Sequence, residues 1–145
     1  LQYAEEILSA EGGSAVVVHA ASILHDIGIH EAERKHGSSA GRYQEIEGPP
    51  IARQIMENIG LDEPDIEHVC RIIANHHSAR DIDTLEFRII WDADWLVNFP
   101  EGFARTSRDN RESRIGKIFR TPAGRAKAQA LFGDETAGKP GACVP

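Results

Sequence analysis

The stretch Ile23-Leu24-His25-Asp26-Ile27-Gly28 ends an apolar run with two adjacent side chains suited to a divalent ion. His25 offers a neutral imidazole nitrogen and Asp26 a hard carboxylate oxygen, a pair compatible with Mn, Fe, Ni, Zn or Mg. Two residues do not complete a coordination shell, so partners must come from other elements, and helical periodicity nominates them. Ile66, Val69, Cys70 and Ile73 recur at spacings of three and four, and extending that stripe reaches His76, with His77 beside it. Further on, Phe87, Ile90, Trp91 and Val97 mark a buried face that also carries Asp94. Asp92, turned about 140° from Phe87, is expected to point outward. A carboxylate on an apolar face carries a desolvation cost of several kcal/mol unless a cation accompanies it. An ion shared with His25 and Asp26 would supply that cation.

The elements that must hold these residues read as helices. Leu1, Ala4, Ile7 and Leu8 form a first helix closed by Gly12-Gly13, and Ser14 caps a second that runs from Ala15 to Leu24 and is apolar on nearly all faces. Such a helix belongs in the middle of a bundle. From Ile29 to about Gln44 the periodicity stops, which predicts a long polar loop beside the doublet. Glu31, Arg34, Lys35 and Arg42 in that loop are candidates to meet a phosphate or a catalytic water. Gly48-Pro49-Pro50 is expected to open a helix whose inner face is Ile51, Ile55 and Ile59, ended by Gly60. Asp62-Glu63-Pro64 and Thr84 open two further helices. Pro100 to Arg114, with Phe103, Arg105, Arg108, Arg111 and Arg114, reads as a solvated connection. Thr121-Pro122 starts a last helix through Ala126, Ala130 and Leu131, ended by Gly133. Residues 1–133 are therefore expected to form one all-α domain, and residues 134–145 a loose tail.

Composition narrows the function. At 145 residues, 41% hydrophobic and 27% charged, the chain has the make-up of a single soluble domain, without an apolar run long enough to span a bilayer. A formal charge of −7 opposes binding to a long nucleic acid, since such binding draws on Lys and Arg neutralising phosphates. Cys70 and Cys143 show neither metal-ligand spacing nor a disulfide framework, the pattern of a reducing compartment, so a cytoplasmic location is expected. His19, His30, His36 and His68 read as ordinary surface or loop residues.

With His25-Asp26 after one apolar helix, His76-His77 after another, and Asp94 within Trp91-Asp92-Ala93-Asp94-Trp95-Leu96, the chain resembles the HD-domain superfamily of metal-dependent phosphohydrolases. The likeness covers roughly Leu1 to Phe99. It implies an all-α, HD-domain-like helical bundle in which the doublet maps onto His25 and Asp26 and the later aspartate onto Asp94, the residue that the helical face also selects. The family's first histidine precedes the segment that looks like Tyr3-Ala4-Glu5-Glu6-Ile7 and is expected upstream of Leu1; His19 is a poor substitute because it sits within the doublet helix itself. In members with two metals, two more histidines are ligands, and here His76 corresponds to the second and Glu47 approximately to the first.

The resemblance implies hydrolysis of a phosphate ester, monoester or diester, on a small phosphorylated metabolite or nucleotide, with one or two divalent ions (Mn, Fe, Ni, Mg or Zn). The ion would lower the pKa of a water and neutralise phosphoryl charge. Other members imply two alternatives: a di-iron oxygenase, or a regulatory domain that binds a nucleotide without turning it over.

Overall fold

The computed structural model describes residues 1–99 and 107–133, the side chains of residues 108 and 109 excepted. Among the described residues there are eight helices and no strand, an all-α fold as expected: α1 (Gln2–Glu11), α2 (Ala15–Leu24), α3 (Ile29–His36), α4 (Gly41–Asn58), α5 (Glu63–Ile73), α6 (Leu85–Asn98), α7 (Arg108–Ile118) and α8 (Pro122–Phe132). None of them is long and apolar enough to cross a membrane.

Helix α2 is the hub and packs against α1, α5 and α6. Ser14 caps it, its Oγ accepting the Val17 N–H at 3.3 Å, as Thr84 and Thr121 cap α6 and α8. Val17, Val18, Ala21 and Leu24 of α2 join Ile66, Val69, Cys70, Ile72 and Ile73 of α5 and Phe87, Ile89 and Ile90 of α6 in one core. The α5 stripe is buried as its spacing implies. Helix α2 is less enclosed than its composition suggests, because Val16 and Ile23 face solvent.

Several boundaries and faces differ from the sequence reading. The segment after the doublet is not a loop: Ile29–His36 forms α3, closed by Gly37 at φ 65°. Its residues are mostly polar and only Ala32 is buried, so apolar periodicity had almost nothing to register. Helix α4 starts at Gly41, and Pro49 and Pro50 lie inside it. Those prolines remove two intrahelical donors, a cost that packing against α3 and α5 outweighs. The inner stripe of α4 is Gln44, Glu47, Gly48, Ala52 and Met56, while Ile55 and Ile59 are exposed.

On α6 the buried residues are Phe87, Ile89, Ile90, Asp92 and Leu96; Val97 is exposed, and Asp92 is fully buried rather than outward-facing. The reason is a second layer. Helix α6 packs on α1 and α2 on one side and on α8 on the other, so its covered sector is wider than one stripe. That layer includes α7, which begins within the stretch read as a solvated connection, runs past its end and buries Ile115, with Phe119 following. Phe103, Arg105 and the tail from residue 134 lie outside the described residues. On α8 the buried positions are Gly124 and Ala128, with Ala126, Ala130 and Leu131 outward.

Candidate metal centre

Helix α2 ends at His25, and a tight turn follows in which Ile27 N–H donates to the Leu24 carbonyl at 3.0 Å and Ile29 N–H to the Asp26 carbonyl at 3.1 Å. Gly28 allows this turn to press on α4: a Cβ there would fall 2.7 Å from Gly48 N and 2.8 Å from the Gln44 carbonyl oxygen. From the other side, the turn after α5 delivers His76 and His77. The Glu45 carboxylate of α4 clamps that turn by accepting from the N–H groups of His77 at 3.0 Å and Ser78 at 2.7 Å. Helix α6 adds Asp94. Gly41 completes the arrangement, since a Cβ at that position would strike the His77 ring at 2.7 Å.

The side chains converge. His25 Nε2 lies 3.3 Å from Asp26 Oδ2 and 3.7 Å from Asp94 Oδ1, and His76 Nε2 lies 3.6 Å from Asp26 Oδ1. One ligand atom each from Asp26, His76 and His77 lies within 4.8 Å of the others. The His25 and His76 rings meet edge to face at 5.6 Å, and the His76 and His77 rings are 3.9 Å apart. Asp26 is about half exposed, at 52% of its side chain, whereas the His76 side chain is 3% exposed, so the group forms the wall and floor of an open cleft.

Hydrogen bonding assigns the ring protons. His25 Nδ1 is 3.1 Å from the Ser22 carbonyl and His76 Nδ1 is 2.7 Å from the Ile73 carbonyl. A carbonyl can only accept, so each Nδ1 carries the hydrogen, and in the neutral ring each Nε2 is left as a bare lone pair. Both lone pairs then face carboxylate oxygens, an arrangement that repels unless a cation lies between them. His76 Nε2 is buried with no hydrogen-bond partner. Metal-bound histidines typically show this pattern, with the remote nitrogen donated to a carbonyl.

The electrostatics describe carboxylates that attract positive charge, which in the metal-free chain includes a proton on His25. The contact with His76 holds the Asp26 pKa below its ordinary value, against the opposing effect of burial. Burial acts to lower the His25 pKa, but the contact with Asp94 and the charges of Asp26 and Asp94 together carry it above its ordinary 6.5. His77 is lowered, by burial first and then by His76, which favours the neutral ligand form.

The residues nominated from α3 and α4 are placed differently. Arg34 binds Glu31 through both Nε and Nη2, at 2.8 and 2.6 Å, and this bond is the main cause of a Glu31 pKa of about 2. Glu47 is nearly buried, and its oxygens are taken by Lys35 Nζ at 2.7 Å and His36 Nε2 at 2.9 Å, which hold its pKa low. His36 also stacks on Tyr43 at 4.2 Å. It is thus part of a polar cluster, more than an ordinary surface histidine. At the histidine rings themselves, α4 places Gln44, whose Oε1 lies 3.3 Å from His77 Nε2. Its uncharged amide gave no chemical signal in the sequence. Arg42 donates to the Tyr43 hydroxyl at 2.8 Å and has no carboxylate partner among the described residues. His19 faces Glu5 at 3.6 Å.

An all-α bundle that brings a His-Asp doublet, a second histidine pair and an aspartate into one cleft defines a class, and the comparison with known families agrees. The chain matches the HD domain model over residues 1–98 and belongs to that family. HD domains typically bind divalent metals and are in general metal-dependent hydrolases. No curated protein and no solved structure matches the chain.

Proposed function

We propose that this cleft binds a divalent metal ion and hydrolyses a phosphate ester, monoester or diester, of a small phosphorylated metabolite or nucleotide. The observation that carries the reading is the pair His25 and His76, each donating Nδ1–H to a backbone carbonyl and each turning Nε2 onto an oxygen of Asp26. His25, Asp26 and Asp94 would hold one ion, and His76 and His77 would complete its shell or hold a second. Mn, Fe, Ni, Mg and Zn all accept such a mixed nitrogen and oxygen set. When bound, the ion supplies positive charge for the phosphoryl oxygens and a water of lowered pKa.

The chain's own residues do the rest. The backbone carbonyls of Ser22 and Ile73 lock the two imidazoles in their ligand tautomer. His77, with its lowered pKa, presents a neutral ring at the cleft wall. Arg42 follows Gly41, whose backbone lies against the His77 ring, and is the cation we assign to a non-reacting phosphate oxygen. Arg34 is offset by Glu31 within α3, and Lys35 by Glu47, which ties α3 to α4 beside the cleft.

The test is phosphate release from a panel of monoesters and diesters by protein loaded in turn with Mn, Mg, Ni, Fe and Zn. Metal-dependent release that Asp26→Ala lowers by about 100-fold or more is expected, since removing a metal ligand removes transition-state charge stabilisation. Silence with every metal and ester would overturn the proposal; a nucleotide-induced rise in melting temperature without turnover would then mark a regulatory domain, and oxygen consumption with iron an oxygenase.

A further inference from the structure

The cleft extends along α6 beyond the metal-ligand candidates. A cavity of about 210 Å³ is lined by His76, His77 and Asp94 together with Trp91, Trp95 and Asn98. The two indoles differ in how they are held. Trp91 donates its Nε1–H to the Ile118 carbonyl at 3.0 Å and carries the Arg120 guanidinium 4.5 Å above its ring. Trp95, 6.2 Å from Trp91 and tilted by 48°, is partly buried, and its Nε1–H has no partner among the described residues. An indole that lines a polar cavity in this state offers both a stacking face and an unused donor.

Asn98 supplies the complement. Its Nδ2 donates to the Asp94 carbonyl and to Asp94 Oδ1, both at 3.1 Å. Two acceptors at that nitrogen fix which way the amide points. Asn98 Oδ1 is left as an acceptor with no partner among the described residues. A flat face, a donor and an acceptor therefore stand one helical turn apart on α6, beside Asp94.

We propose that Trp95 and Asn98 form a subsite for a flat heteroaromatic ring in the organic part of the substrate, with a ring nitrogen receiving the Trp95 N–H and an amino or ring N–H meeting Asn98 Oδ1. An aliphatic chain would leave both groups unpaired, and a sugar would offer the indole no flat ring to stack on. Placing the phosphate near Asp94 rests on the hydrolase reading, but ring binding by itself does not require turnover.

The experiment is a titration of the metal-free full chain with adenosine, which has the ring but no phosphate, followed by indole fluorescence. Trp91 and Trp95 are the only two indoles of the chain, so any quenching is local to the cavity. Saturable quenching by adenosine and none by ribose is expected, lost in Trp95→Leu and with calorimetric binding retained in Trp95→Phe, which keeps a stacking face. In the loaded protein, kcat/KM for AMP relative to glycerol phosphate should fall by roughly tenfold in Trp95→Leu and recover in Trp95→Phe, in line with base–aromatic stacking. A wild-type chain that adenosine does not quench, or an AMP preference that Trp95→Leu leaves unchanged, would overturn the subsite. Quenching without phosphate release from any ester would support the subsite while overturning the hydrolase reading.

Discussion

Asp92 and Asp94 sit two residues apart on α6 and do opposite work. Asp92 is fully buried on the side facing α8, where Oδ1 accepts from Arg120 N–H and Oδ2 from the Thr121 N–H and hydroxyl, each at 2.7 Å. Burial raises its pKa, and those bonds act against the rise. Asp94 faces the cleft with its side chain 34% exposed, near His25 and bound by the Asn98 amide. Burial alone therefore does not identify the carboxylate meant for a cation. What separates the two is how fully protein N–H and O–H groups occupy the oxygens: the Asp92 carboxylate accepts three such bonds through both oxygens, whereas that of Asp94 accepts one among the described residues, from Asn98, and stands beside His25.

The comparison can be broken from either side, and the largest effect should come from Asp94. Asp94→Ala should lower phosphate release by about 100-fold or more, while the metal-free melting temperature shifts by no more than about 4 °C, of the order that ~1 kcal/mol produces in a domain of this size. A collapse of the fold would make Asp94 structural. Asp92→Ala should do the reverse. It orphans two backbone donors and a hydroxyl, a loss of about 3 kcal/mol and of the order of 10 °C in urea-checked thermal melts. Metal bound per folded chain should be unchanged, and a loss of metal from well-folded Asp92→Ala would erase the distinction.

Gly124 sharpens the same point, because a Cβ there would run into the Asp92 carboxylate and the Thr121 hydroxyl. Gly124→Ala should cost about 1–3 kcal/mol by overpacking, and less when combined with Asp92→Ala, where the obstacle is gone. Strict additivity in a double-mutant cycle would contradict the packing described. The smallest effect concerns pH. His25 has a folded pKa above its ordinary 6.5, so its contribution to metal-free stability is full below that value and is lost as pH rises through the folded pKa. Asp26 runs the other way, contributing above its ordinary 3.8 and losing that as pH falls. His77, with its pKa lowered, acts in the opposite sense to His25, so the test is a difference: from pH 6 to pH 8 the metal-free melting temperature of the wild type should fall relative to that of His25→Gln; parallel curves would remove His25 as the cause.

Much of this was legible in the sequence, for identifiable reasons. The α5 stripe predicted His76 inward because that helix buries one clean face, and Ser14, Thr84 and Thr121 marked helix starts because their hydroxyls cap free N–H groups. Asp94 was nominated, although by an argument that fits Asp92 better, and it lies beside His25. A single stripe cannot describe a helix covered on two sides, and no local pattern reports that α8 packs back on α6; α7, which packs on α8, is too polar to announce itself. Helix α3 escaped notice likewise, being held by Glu31, Lys35 and His36 more than by apolar burial. Gln44, Glu45 and Gly41 are positioned for the site by contacts between helices far apart in sequence, which no local pattern reports.

The central claim is that the two bare imidazole nitrogens and the Asp26 carboxylate exist to hold a cation. Elemental analysis of the purified wild-type chain and of Asp26→Ala, both confirmed as folded, tests it most directly. One or two equivalents of a divalent metal in the wild type and essentially none in Asp26→Ala is the predicted result; full metal content retained in Asp26→Ala would contradict it.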